Sequence, residues 1–175
     1  MKNLICSLLL IVSASVAVAK PYVGASIGYL IDSEESMISG HVGYALPSGG
    51  NVTHGIELEV ADTSFREEIF KASITPILAN YRFSAPFSSR FDFFGGLGLG
   101  LSQVRVSGRS FATGIRDSDS GFTAQAFAGV AFNVTPVVSF TVGARHFRVG
   151  EVKLFDVEDT LGDETSIEAG IRIRF

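Results

Sequence analysis

Thr165-Ser-Ile-Glu-Ala-Gly-Ile-Arg-Ile-Arg-Phe175 is the stretch whose reading decides the fold. Ile167, Ala169, Ile171, Ile173 and Phe175 share one parity, and Ser166, Glu168, Gly170, Arg172 and Arg174 share the other. Alternation with period two is the signature of a strand with one apolar and one charged face. The pattern runs to the final residue and stops on an aromatic. That ending suits a transmembrane barrel, whose last strand must close the sheet and whose aromatics sit at the membrane–water boundary.

The opposite end supports export. Met1-Lys2-Asn3 is a short basic start, and residues 4–18 are rich in Leu, Ile, Val, Ala and Ser. Ala17-Val18-Ala19 fits the small-x-small cleavage rule, so residues 1–19 read as a signal peptide cut after Ala19. The apolar part is short for a membrane helix, which needs about 20 residues. The lone cysteine, Cys6, falls in this segment. Residues 20–175 then contain no thiol for a disulfide or a thiolate metal site.

Composition narrows the class. The chain has 19 Gly, 15 Phe, 4 Tyr and no Trp, and its charged fraction of 18% lies below the usual share for a soluble domain. Mean hydropathy is positive, yet no apolar run after residue 19 is long enough for a membrane helix. Apolarity without helices leaves a buried β-fold or a membrane barrel. A net charge of −4 argues against a nucleic-acid partner.

Seven further segments alternate like the last: residues 22–31, 37–46, 54–62, 69–83, 90–106, 122–133 and 137–148. Most reach the 9–11 residues that cross a bilayer at a tilt. Eight in all predict an all-β fold, an eight-stranded antiparallel up-and-down transmembrane β-barrel over residues 20–175. In the fourth segment Pro76 cannot donate to a ladder, which predicts a bulge and a change of parity there. Tight turns follow strands two, four and six, at residues 47–52, 85–89 and 133–136. The longest links, residues 107–120 and 149–164, fall at the other end as outer loops. Aromatics cluster at the periplasmic strand ends: Tyr22, Tyr44, Tyr81, Phe83, Phe91, Phe93, Phe132, Phe140 and Phe175. Tyr29, Phe70 and Phe122 are candidates for a thinner outer girdle.

Gly95-Gly-Leu-Gly-Leu-Gly-Leu101 after an aromatic strand start, Asn80-Tyr-Arg82 before a proline turn, Gly143-Ala-Arg145 late in the seventh strand and the terminal Phe175 appear in one order. In these features the chain resembles the small outer-membrane β-barrels of the OmpA/OmpX-like porin family. The resemblance spans residues 20–175 and implies location in the cell outer membrane. It implies contact with membrane lipids and lipopolysaccharide, and assembly by the outer-membrane barrel machinery, with Phe175 as its recognition signal. The chain departs from the OmpA type in having no peptidoglycan-binding domain after the barrel and in its short first and second outer loops.

The inward parity carries Glu57, Glu59, Asp92 and Glu168 with Arg82, Arg145, Arg172 and Arg174. Charges inside a narrow barrel need partners, and the arginine fork pairs well with carboxylates. The expectation is a structural charge ladder, with an ion pore as the alternative. Gly96, Gly98 and Gly100 leave room for Phe94 and Phe127 to fill the lumen. No helix or lysine follows them, so they do not form a phosphate-cradling loop. His41, His54 and His146 are scattered and offer no metal spacing. His41 points inward without a nucleophile beside it, and His54 falls in a turn. Arg145-His-Phe-Arg148 is superficially similar to the segment of lipid A deacylases. Arg148 stands where their serine would, so no Ser/His/acid set is assembled. The third outer loop carries Arg109, Arg116, Asp117 and Asp119. The fourth is acidic, with Glu151, Asp156, Glu158, Asp159, Asp163 and Glu164. The whole reads as a monomeric, cofactor-free, non-enzymatic barrel with a structural or surface-interaction role. A narrow pore and a lipid A-modifying enzyme are the alternatives.

Overall fold

The computed structural model of the protein describes residues 20–46, 50–66, 70–109, 114–154, 157–160 and 163–175. The leader expectation, residues 1–19 with Cys6 and the cut after Ala19, lies outside the described residues. So do part of the first periplasmic turn, the tip of the third outer loop, and the side chains of Phe70, Arg109, Arg116, Asp117, Glu151, Glu158 and Asp159. Asp156 also lies outside them.

Ten strands follow in order: β1 Lys20–Leu30, β2 Ser36–Leu46, β3 Thr53–Arg66, β4 Phe70–Pro86, β5 Phe91–Arg109, β6 Gly114–Asn133, β7 Val138–Val149, β8 Glu151–Leu154, β9 Val157–Thr160 and β10 Asp163–Arg174. Eight of them close a barrel in the order β1-β10-β7-β6-β5-β4-β3-β2, with every neighbouring pair antiparallel. β8 and β9 form a separate hairpin. The closing seam joins β1 to β10, from Tyr22 opposite Arg174 to Leu30 opposite Ser166. Phe175 adds a rung, its N–H donating to the Pro21 carbonyl at 2.9 Å. No edge is left along the closed wall, as a bilayer demands of a spanning sheet.

The barrel is inside out relative to a soluble protein. Ile27 (67% exposed), Leu97 (64%), Val142 (60%) and Ile167 (57%) stand on its outer wall. Among the described residues, thirteen buried polar or charged side chains outnumber eleven buried apolar ones. An exposed apolar surface on this scale marks a membrane contact. On β10, Ile167 and Ile171 face out while Ser166 and Arg172 are buried.

Three expectations about strands and loops need correction. Pro76 causes no bulge: Val60 pairs with Ile77 and Thr63 with Ile74, one continuous register. Pro76 still pairs with Ser102 on β5. Thr75 Oγ1 donates to Asp62 Oδ1 at 3.0 Å beside the missing proline donor, tying β3 to β4 where the ladder is weakest. Residues 107–120 are largely strand, since β5 and β6 stay paired from Phe91 opposite Phe132 to Arg109 opposite Gly114. A strand of 19 residues runs roughly 60 Å at about 3.3 Å per residue, far more than a bilayer needs, so this hairpin projects beyond the membrane. The fourth outer link likewise contains the β8–β9 hairpin.

The periplasmic turns are short because the chain closes them locally. Ser88 Oγ accepts from the Arg90 and Phe91 N–H groups, and Thr135 Oγ1 accepts from those of Val137 and Val138. Of the expected girdle, Tyr44, Tyr81, Phe91, Phe93, Phe140 and Phe175 are exposed on the wall. Phe91 packs on Phe132 and Phe83 on Phe93. Tyr22 is the exception: it is on the inward parity and buried. His54 is on β3 rather than in a turn, and its Nδ1 meets the Tyr81 hydroxyl at 2.5 Å.

Candidate functional site

The inward faces of eight strands meet in the lumen, in three layers. The middle layer is a polar network centred on Arg145. Its Nη1 donates to Glu59 Oε1 and, at 2.9 Å, to Gln125 Oε1, and its Nη2 donates to Glu168 Oε2 at 3.1 Å. Glu59 Oε2 also accepts from Asn80 Nδ2 at 2.6 Å and Gln125 Nε2 at 3.1 Å. Glu168 accepts from Ser166 and Ser26, and Ser26 meets Ser39 at 2.6 Å. The network draws on β1, β2, β3, β4, β6, β7 and β10. β5 supplies the space: a Cβ on Gly98 would fall on Asn80 Oδ1, and one on Gly96 would fall on the Phe127 ring.

The periplasmic layer is cationic. Arg82 Nη1 lies 3.5 Å from Glu57 Oε1, which also accepts the Tyr22 hydroxyl at 2.9 Å. The Arg82 guanidinium stacks on Phe94, 3.8 Å from the ring centroid, a cation–π contact strengthened by desolvation. Arg174 Nη2 lies 3.6 Å from Asp92 and donates to Asn133 Oδ1 at 3.0 Å. Arg172 is buried with no carboxylate partner among the described residues; its guanidinium carbon sits 5.6 Å from the Tyr22 ring. A cavity of about 290 Å³ opens at this mouth between Lys20, Tyr22, Arg82, Asp92, Arg172 and Arg174.

The outer layer is largely apolar, with the buried Ser102 and Thr123 hydroxyls paired beside it at 2.5 Å. Leu30, Met37, Ala61, Phe147 and Val149 form a buried cluster with Phe65 against it. Ile74 and Val104 form a second one, also touching Phe65. These inward apolar residues pack into the outer end of the lumen, beyond the polar network. A sequence reading that sorts inward residues only by charge misses them, although Leu30 and Phe147 are on the inward parity of their strands.

All eight expected ladder residues lie on the lumen side, but they do not form one balanced ladder. Arg145 bridges Glu59 and Glu168. Arg82 takes Glu57 and Arg174 takes Asp92. Arg172 is left over. Sequence reasoning missed Tyr22, Asn80 and Gln125 as lumen partners, although each has the inward parity. Phe175 is exposed at the end of the closing seam. His41 faces the lumen, its Nε2 without a hydrogen-bond partner. His146 faces outward, its Nδ1 3.1 Å from Thr165 Oγ1 and its Nε2 4.0 Å from Asp163. Arg148 approaches the same carboxylate at 3.5 Å.

A closed eight-stranded wall with an apolar exterior and a charged interior is the architecture of a small membrane barrel. The sequence matches the outer membrane protein β-barrel domain over residues 4–175. The chain belongs to this family. It is an integral barrel of the cell outer membrane, in contact with membrane lipid. No curated protein matches it. Among solved structures it is similar to Neisserial surface protein A, NspA, at 14% identity and a TM-score of 0.59, covering 90% of this chain and 96% of that one. It is also similar to Ail, the attachment invasion locus protein of Yersinia pestis, solved in complex with the heparin analogue sucrose octasulfate. There the identity is 17%, the TM-score 0.53 and the coverage 90% and 97%. The outer membrane enzyme PagL matches at 12% identity and a TM-score of 0.51, covering 87% and 98%. Identities this low speak for the shared barrel alone.

Proposed function

We propose that this barrel is a sealed, non-enzymatic element of the outer membrane that holds a stiff β-ribbon above the cell surface. The observation that carries the reading is the filled lumen. A network joining seven strands crosses its middle, and an apolar cluster around Leu30 and Phe147 closes its outer end. A conducting pore needs a continuous wet path, which the apolar layer interrupts. The ladder residues are then structural: each pair neutralises a charge that the narrow lumen could not otherwise hold. The projecting β5–β6 hairpin is the surface-facing part, beside lipopolysaccharide.

On this reading residues 1–19 are removed after Ala19, the chain is a monomer, and Phe175 is the signal read by the assembly machinery. Mass spectrometry of the outer-membrane protein tests the cut, with Lys20 expected as the first residue. Planar-bilayer recording tests the seal, with no steady channel conductance expected. A stable open level would replace this reading by the pore.

His146, Thr165 and Asp163 favour a second reading, a lipid-modifying site on the outward face at the outer rim. The grouping falls short as a catalytic set. Asp163 lies 4.0 Å from the imidazole and is shared with Arg148, so it does not orient the ring. Lipid A mass spectrometry with and without the protein separates the readings: an unchanged profile supports the structural barrel, and loss or gain of an acyl chain supports the enzyme.

A further inference from the structure

Arg172 is the feature that the sealed-barrel account leaves unexplained. It is 5% exposed, and both its Nε and its Nη2 lack a hydrogen-bond partner. Arg82, 7% exposed, has the same two nitrogens unpartnered, because its contact with Glu57 uses only Nη1. Both arginines line the cavity of about 290 Å³ at the periplasmic mouth. Four cationic side chains border that cavity, Lys20, Arg82, Arg172 and Arg174, against one carboxylate, Asp92. Asp92 is already engaged by Arg174 and by Asn133 Nδ2. Glu57, just inside, is held by Tyr22 and Arg82. Among the described residues, no ion pair joins Arg172 to a carboxylate.

We infer that the periplasmic mouth of the lumen is an oxyanion site that takes a small soluble phosphate between Arg172 and Arg82. A buried guanidinium without a counter-charge is costly, and an anion bound from the periplasm removes that cost. The planar fork of arginine matches the oxygens of phosphate in pairs, which favours an oxyanion over a halide. The cavity is large enough for a phosphate with part of its hydration shell and too small for a polymer. A metal cation is disfavoured by the charge balance. The inference is independent of the outer seal, because the site opens at the other end of the barrel.

The test is titration of the folded barrel in lipid vesicles with inorganic phosphate, at constant ionic strength set with chloride, read by calorimetry and by phosphorus NMR line width. One saturable site is expected in the parent. Arg172→Gln is expected to weaken it at least tenfold, while Arg148→Gln on the outer rim leaves it unchanged. Arg172→Lys keeps the charge without the fork and is expected to bind more weakly than the parent. It also serves if the glutamine variant does not fold. No saturable binding in the parent, an effect matched by chloride, or equal affinity in the Arg172 variants overturns the proposal.

Discussion

At the scale of single residues, Arg145 matters most to stability. Among the described residues it is the one cation ion-paired to two carboxylates, Glu59 and Glu168, and it also bonds Gln125. Arg145→Leu strands both acids, because among the described residues no other cation forms an ion pair with either of them. Breaking one side of a buried pair costs about 3–5 kcal/mol. Urea unfolding in lipid vesicles is expected to show a loss of that size. A loss below about 1 kcal/mol would mean that water already solvates these acids. Gly98 makes a complementary case. A methyl group there collides with Asn80 Oδ1 and crowds Gln125, so Gly98→Ala is expected to cost about 1–3 kcal/mol as overpacking. The same unfolding assay measures it. The arginines and glycines that matter were legible in the sequence by parity. Their pairing was not. Arg145 on β7 reaches across the lumen to Glu59 on β3, a strand it never pairs with in the sheet, and only the closed geometry brings them together.

At the scale of strands, alternation was readable wherever one face met lipid and the other the lumen. It failed where that contrast ends. Residues 107–120 read as a loop because outside the bilayer both faces of a strand are wet, and no hydrophobic period survives to mark it. Pro76 read as a bulge because it breaks a ladder. The neighbouring pairs Val60–Ile77 and Thr63–Ile74 instead carry the register past it. Two predictions belong here. A short epitope inserted between Arg109 and Gly114 is expected to be tolerated and bound by antibody on intact cells, because the β5–β6 hairpin projects outward. An epitope in the 87–90 turn is expected to remain hidden until the outer membrane is opened. Deleting Phe175 removes the rung to Pro21 and the terminal aromatic. Assembled, heat-modifiable barrel in the outer membrane is expected to fall several-fold. Unchanged assembly would leave Phe175 as an interfacial anchor only.

At the scale of the molecule, the barrel divides into a lipid-facing wall, a charged lower lumen and an apolar outer stopper. The wall was legible in the sequence, since it needs only parity. The stopper was not, because Leu30, Met37, Ala61, Phe147 and Val149 lie on five positions spread over four strands and become one cluster only on closure. In the proposed arrangement the lumen is open to the periplasm and shut to the outside, inside a wall that faces lipid. The chain's sole cysteine, Cys6, lies ahead of the barrel, so single cysteines can be placed cleanly. The most direct measurement is thiol labelling of Ile171→Cys and Arg172→Cys in the outer membrane with a small membrane-impermeant reagent, added either to intact cells or from the periplasmic side. Cysteine at position 172 is expected to label from the periplasmic side only, and cysteine at 171 from neither. Labelling of position 172 on intact cells, or of 171 in preference to 172, would contradict the account.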